Sequence, residues 1–267
     1  MTSQVSSQQL TFYGDNGYVI IPGMLAAAEL DQWRGALAAA AHQHAAKAGY
    51  HNQHDDGYYR EVFLQLVNLW TTSEAMRQLV LDPRLGKLAA ELAGVSEVRL
   101  YHDHAMIKQP WSNPTNWHID SSGCPFFSRR ANVLWIPLDD VTVQNGCLYF
   151  LPGSHRTSRF EVEGALNEAN IGGLLAAYPE WREIEPVAAE AKAGDGVFFS
   201  AMVAHAAGPN MTIHPRRAVA LVYIPQGAVY NGTPHVLPPA VVSRLQQGDL
   251  LEDDEHLPLI YRSPAAR

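Results

Sequence analysis

The spacing of apolar residues changes in kind once along this chain. From Leu25 to about Lys47 they return at helical intervals, with Leu30, Trp33, Leu37 and Ala41 forming one stripe of an Ala-rich segment. That stripe predicts a helix laid against a sheet, and Ala is the strongest helix former. Before it, residues 1–10 are polar and Ser/Gln-rich, which predicts a frayed end, and Tyr18-Val-Ile-Ile-Pro22 predicts a short strand closing on a Pro-Gly turn. After it, His51 to Tyr59 breaks the pattern with a loop. Val62 to Trp70 then carries Gln65 and Asn68 in an apolar stretch, either lining a pocket or forming a loop and a packed helix. Thr71 to Val80 predicts a helix opened by Thr71 and Glu74 at capping-box spacing, and Pro83 to Leu92 a second helix closed by Gly94.

From Val98 the period becomes two. Arg99 to Lys108 predicts a strand with His102, His104, Met106 and Lys108 on one face. Ala131 to Leu138, Cys147 to Leu151, Gly196 to Val203 and Arg217 to Ile224 predict four more, separated by the turn signals Asn145-Gly146, Pro152-Gly153 and Gly194-Asp195. Residues 161–190 form an irregular insertion with one short helix. Helices followed by short, turn-separated strands predict a mainly β fold, an antiparallel jelly-roll barrel with the N-terminal helices packed on one sheet. The expected organisation is one domain over 1–267: an N-terminal strand and helical cover (1–97), a barrel core (98–225) and a C-terminal extension (226–267).

Composition bounds the function. Hydrophobic residues make up 47% and charged residues 17%, as in an ordinary globular chain. A net charge of -8 argues against a basic nucleic-acid surface. No apolar run reaches membrane-span length, and the N-terminus shows no cationic, apolar leader. Cys124 and Cys147 have no metal or redox spacing and are expected as buried thiols. A cytoplasmic protein is expected, acting on a small molecule, with no nucleic-acid, membrane or protein partner.

Candidate chemistry centres on Trp117-His118-Ile119-Asp120. On an extended strand, residues two apart leave the same face, so His118 and Asp120 present an imidazole and a carboxylate to one point. With His205 as a second imidazole they make a two-His-one-carboxylate face that leaves three positions open on an octahedral ion. His102-Asp103-His104 offers less, because its Asp lies on the opposite face. Arg216 follows His205 by eleven residues. A guanidinium inside a barrel mouth requires an anion, and a 2-oxo dicarboxylate serves both ends: its oxo-acid end chelates the ion and its far carboxylate pairs with Arg216. Arg217 is adjacent, but strand neighbours point oppositely, so only one faces inward.

Taken together, Trp117-His-Ile-Asp120, Trp135-Ile-Pro-Leu-Asp-Asp140, Asn145-Gly-Cys-Leu-Tyr-Phe-Leu-Pro-Gly-Ser-His155, Gly194-Asp195 and His205-Ala-Ala-Gly-Pro-Asn210 with Arg216 resemble the phytanoyl-CoA dioxygenase family. The resemblance implies a double-stranded β-helix of cupin-like form and an Fe(II)- and 2-oxoglutarate-dependent dioxygenase. It implies oxidative decarboxylation of 2-oxoglutarate to succinate and CO2 with O2, and hydroxylation of an unactivated C–H bond. By the same resemblance His118, Asp120 and His205 are iron ligands and catalytic residues, and Arg216 binds the distal carboxylate. Trp135, His104, Met106, Lys108 and Ser121 border the co-substrate. Gln65, Asn68, His102, Phe126 and Phe127 are candidate substrate-wall residues.

Many members carry Ser two positions after the distal His, where this chain has Ala207, so either another donor helps Arg216 or the co-substrate sits slightly differently. Two rival classes use the same ligands. A cupin-like lyase or isomerase would use the ion only as a Lewis acid, and a non-catalytic sensor would bind metal or 2-oxo acid without turnover.

Overall fold

The structure is a computed structural model that describes residues 1–2, 4–46, 62–162, 164, 166 and 169–264. The loop expected at His51 to Tyr59 and the last residue of the long helix lie outside these. The chain opens with a helix, α1 (Ser7–Asn16), where a frayed end was expected. Ser6 and Gln9 form a reciprocal capping box, Gly17 ends the helix in the left-handed region, and the Met1 ammonium pairs with Glu29 at 2.8 Å. Capping and anchoring thus order a segment whose composition alone reads as polar. Strand β1 (Tyr18–Ile21) and helix α2 (Ala27–Ala46) follow as expected.

Residues 62–70 hold a strand, β2 (Leu64–Val67), and a tight turn at Leu69–Thr71, not a packed helix. Asn68, at φ 56, ends the strand, and the buried Asp103 carboxylate accepts from the Leu69 and Trp70 amides, each at 3.2 Å. Helix α3 (Glu74–Val80) is capped by Ser73, whose hydroxyl accepts from the Met76 amide. Thr71, the expected cap, donates instead to the Asn68 carbonyl. Helix α4 (Pro83–Ala93) ends at Gly94 in the left-handed region.

The strands β3 (Glu97–Lys108), β4 (Thr115–His118), β5 (Asn132–Pro137), β6 (Leu148–Phe150), β7 (Val187–Ala189), β8 (Gly196–Ser200), β9 (His205–Ala207), β10 (Arg216–Pro225) and β11 (Leu259–Arg262) complete the fold. They form two antiparallel sheets, β1-β8-β5-β10-β3-β11 with β2 also on β3, and β4-β9-β6-β7. This is a jelly roll, the double-stranded β-helix. The insertion contains β7 and the short helix Leu174–Ala177.

Alternation along the strands sorts the core into two layers. Leu134, Ile136, Phe198, Val219 and Leu221 face outward onto Trp33 and Leu37 of α2 and Leu85 and Leu88 of α4. Val133, Trp135, Val197, Phe199, Ala218, Ala220 and Val222 face inward, toward the smaller sheet. The period of two therefore separates helix-facing residues from cavity-facing ones. Among the described residues no helix is long and apolar enough to cross a membrane.

Candidate metal centre and co-substrate cavity

His118 ends β4 and His205 begins β9, and the two are cross-strand partners. Strand β8 stops at Ser200, and the chain then crosses to the other sheet, so His205 begins a new strand where the sequence predicted the end of an old one. Asp120 is not on the strand either. The chain turns after His118, Ile119 enters the core, and Asp120 opens a short helical turn, Asp120–Gly123, pinned by the Ser121 amide donating to the Ala201 carbonyl at 2.9 Å. The convergence survives this change. One donor atom from each of His118, Asp120 and His205 lies within 4.8 Å of the others, with His118 Nε2 and His205 Nε2 at 3.4 and 3.6 Å from Asp120 Oδ1.

Backbone carbonyls set the imidazole tautomers. Nδ1 of His118 lies 2.8 Å from the Asn116 carbonyl, and Nδ1 of His205 lies 3.1 Å from that of Val203. A carbonyl only accepts, so each Nδ1 carries the proton and each Nε2 keeps its lone pair for a metal. Burial, aided by the His118 imidazole, lowers His205 to about 4. Burial raises Asp120, but the imidazoles of His205 and His118 outweigh it and hold the carboxyl well below the usual range. Two neutral nitrogens and one carboxylate are the donor set of a facial site for a divalent ion.

These groups open into a cavity of about 150 Å³ between the sheets. Arg216 lines it at 3% exposure, with its guanidinium carbon 5.2 Å from the Trp135 ring centre. Arg216 Nε and Nη1 are buried without a hydrogen-bond partner within the chain. Burial lowers its pKa to about 10, which leaves it cationic at neutral pH. A buried, unpaired cation is costly unless an anion joins it. Arg217 faces the other way and forks onto Asp139.

The other predicted residues divide. Trp135, His104, Met106, Gln65 and His102 line the cavity, and Gln65 Nε2 meets His104 Nδ1 at 2.7 Å. Lys108 does not line it. Its ammonium is fully buried and donates to the carbonyls of Val62 and Asn113, while burial and then Arg216 lower its pKa to about 6. Ser121 is buried in the turn that Asp120 opens, and Asn68 is occupied with the turn after β2. Phe126 packs edge-on against Tyr101 in the core, and Phe127 is 60% exposed against Phe160. None of these last four lines the cavity.

The sequence reading missed Thr115 and His235, both on the wall. His235, from the C-terminal extension, sits at φ 43 with Nδ1 2.7 Å from the Tyr101 hydroxyl and its ring 6.0 Å from that of His102. No periodic signal marks a loop histidine. Burial, with the neighbouring His104 and His235 imidazoles, pushes His102 well below its usual range, and burial alone accounts for most of the fall of His104 to about 4.

These buried imidazoles set a pH dependence for the apoprotein. In the unfolded chain His102, His104 and His205 take up protons below about pH 6.5; in the folded chain His104 and His205 resist until about pH 4, and burial holds His102 well below its ordinary range. Stability must therefore fall as pH falls through that window, by up to about 1.4 kcal/mol per pH unit for each group. Asp103, raised by burial to about 7, binds its proton in the folded state first and offsets one histidine. Urea midpoints measured from pH 7 to 4 should show a net decline equivalent to about two groups.

Known proteins resemble this chain in sequence and in fold. The family model for phytanoyl-CoA dioxygenase (PhyH) matches residues 13–218. The methylphosphonate hydroxylase of Gimesia maris is 26% identical over 226 residues, covering 84% of this chain and 82% of its own. The crystal structure of the non-heme alpha ketoglutarate dependent carbocyclase SnoK from nogalamycin biosynthesis is 30% identical with a TM-score of 0.78, covering 96% of this chain and 97% of that one. The epimerase SnoN, solved with Fe3+, alpha ketoglutarate and nogalamycin RO, is 28% identical with a TM-score of 0.72, covering 95% and 97%.

Proposed function

We propose that this chain, which belongs to the phytanoyl-CoA dioxygenase family, is an Fe(II)- and 2-oxoglutarate-dependent enzyme that hydroxylates a C–H bond of a small molecule. The observation that carries the reading is a His-Asp-His donor set and an unpaired, buried Arg216 opening into one cavity. Both halves fit the groups proposed. The donor set suits a divalent ion with open positions, and the orphaned guanidinium atoms suit a carboxylate.

When bound, iron, 2-oxoglutarate and O2 supply the oxidising chemistry, with succinate and CO2 released and a substrate C–H bond oxidised. The chain's residues bind, orient and shield. His118 and His205 offer neutral Nε2 atoms, and Asp120 supplies the single charge. Arg216 takes the distal carboxylate, with Trp135 packed against its guanidinium. Val133, Leu148, Phe199, Ala220 and Val222 exclude water from the space between the sheets. His102, His104 and His235 form the wall against which the primary substrate is held, with His102 and His104 neutral hydrogen-bonding groups at physiological pH.

A second reading, ring closure or epimerisation, draws support from the 30% identity and 0.78 TM-score with the carbocyclase. It uses the same residues and differs in whether oxygen reaches the substrate. The test is succinate release across a panel of small molecules, followed by the product's mass. Gain of one oxygen supports hydroxylation, and loss of two hydrogens or no mass change supports the second reading. A panel spanning acidic, zwitterionic and neutral polycyclic compounds that gives no substrate-dependent succinate would count against both.

A further inference from the structure

The cavity has a second end, remote from Arg216. On β3, Lys108 pairs with Arg216, while His102, six residues earlier, pairs with Val222. His102 therefore stands roughly 20 Å along the strand from the level of the guanidinium. It lines the cavity at 5% exposure, and its Nδ1 is buried without a hydrogen-bond partner within the chain. A buried imidazole with an unmet nitrogen is costly unless a ligand brings a partner to the ring. Neither the metal centre nor the Arg216 end makes use of it.

His235 lies beside it, with the two ring centres 6.0 Å apart. It comes from chain beyond residues 13–218, the part that the family model matches, so it belongs to this chain and not to the shared pattern. Several contacts fix its place. The Asn231 amide donates to the Pro125 carbonyl at 2.8 Å and the Asn231 side chain to the Cys124 carbonyl at 2.9 Å, which ties the segment to the chain just after the Asp120 turn. The Tyr101 hydroxyl, on β3, accepts from the Val236 amide at 3.4 Å and lies 2.7 Å from His235 Nδ1. Burial keeps the Tyr101 proton in place. With its oxygen already accepting, that proton is donated to Nδ1, and His235 is held as the neutral tautomer with its own proton on Nε2.

This end of the cavity therefore offers hydrogen bonds without fixed charge. Among the described residues that line the cavity, Asp120 and Arg216 are the only Asp, Glu, Lys or Arg, and under the reading above they hold the ion and the co-substrate. An anion or a cation brought against His102 and His235 would lose its water without gaining a counter-charge. A hydroxyl or carbonyl oxygen would meet imidazole groups, with Val67, Val222 and Val236 against the rest of the molecule. We propose that His102 and His235 are the specificity-determining pair for the primary substrate, and that they select an uncharged molecule with an apolar body and a hydroxyl or carbonyl oxygen. This rests on the 2-oxoglutarate reading, which commits Arg216 to the co-substrate.

The test is calorimetric titration of anaerobic protein loaded with Fe(II) and 2-oxoglutarate, using three probes that share one ring system: naphthol, naphthoate and naphthylphosphonate. Naphthol should bind, and the two anions should bind at least about tenfold more weakly. His235→Phe and His102→Phe keep a ring and remove the nitrogens, and each should weaken naphthol about 3- to 10-fold, the worth of a hydrogen bond between neutral groups. Both should bind 2-oxoglutarate within about twofold of the wild type, because the two ends of the cavity are far apart. His235→Arg should reverse the preference and favour naphthoate, since the pocket then supplies the counter-charge. Three results overturn the proposal while the 2-oxoglutarate reading stands: equal binding of naphthol and naphthoate by the wild type, no naphthol binding at about 10 mM, or unchanged naphthol affinity in both Phe variants. If the Phe variants lose naphthol and 2-oxoglutarate alike, the cavity has collapsed and His235→Arg decides, a preference for naphthoate upholding the proposal and its absence overturning it. A wild type that binds iron but not 2-oxoglutarate overturns the reading and the proposal together.

Discussion

Asp120→Ala should lose Fe(II) affinity by more than about 100-fold, exceeding the loss typical of removing a second-shell partner, and turnover with it. Asp120 is the single carboxylate of the donor set, with its Oδ1 3.4 Å from His118 Nε2 and 3.6 Å from His205 Nε2. Without it two imidazoles remain, 4.1 Å apart between ring centres, with no charge to offset the ion's. The fold should persist, because Asp120 makes its close contacts with the two histidines and the turn it opens is held by the backbone of Ser121. Equilibrium dialysis of Fe(II) under anaerobic conditions, with circular dichroism as the control for folding, checks both halves. An Asp120→Ala protein that binds iron as the wild type does would remove Asp120 from the ligand set.

Arg216→Met should separate binding from stability. Removing one partner of a buried, hydrogen-bonded charge pair costs about 2–5 kcal/mol, so 2-oxoglutarate affinity should fall by a factor on the order of 30 to several thousand. Arg216→Lys should not restore it, since an ammonium lacks the planar fork. The apoprotein, by contrast, should keep its melting temperature or gain. Arg216 Nε and Nη1 are buried without a partner in the chain, and an apolar side chain of similar length removes that cost. Adding 2-oxoglutarate with Fe(II) should raise the melting temperature of the wild type well above that with Fe(II) alone, and that increment should vanish in the variant. Thermal melts with and without ligands measure all four quantities.

Much of this was legible in the sequence because strand alternation is a strict rule. It placed His102, His104 and Met106 on one face of β3 and required that only one of Arg216 and Arg217 face inward; the structure turns Arg216 inward and Arg217 outward onto Asp139. It failed wherever the chain leaves a regular strand. Asp120 reaches His118 through a turn, not along a strand, and His205 starts a strand after a crossing that follows Ser200. Thr115 points inward only because of a register irregularity, which leaves no mark in residue type.

Lys108 shows a different limit. Its direction along the strand was readable, but which carbonyls would draw its ammonium away from the cavity depends on where two other segments pass. Phe126 and Phe127 were ambiguous for a related reason, since an aromatic pair in a loop does not reveal which ring enters the core. At the N-terminus, the Ser6 and Gln9 capping box lay in plain view but was outweighed by a polar composition.

The most direct measurement of the central claim is an anaerobic titration of the apoprotein with Fe(II) and then 2-oxoglutarate, following the visible metal-to-ligand charge-transfer absorption. The account predicts a band that grows to one equivalent of each ligand, is absent in Asp120→Ala and is weakened in Arg216→Met. No band in the wild type, with Zn(II) binding tightly through the same three residues, would contradict it and leave a Lewis-acid enzyme or a sensor in its place.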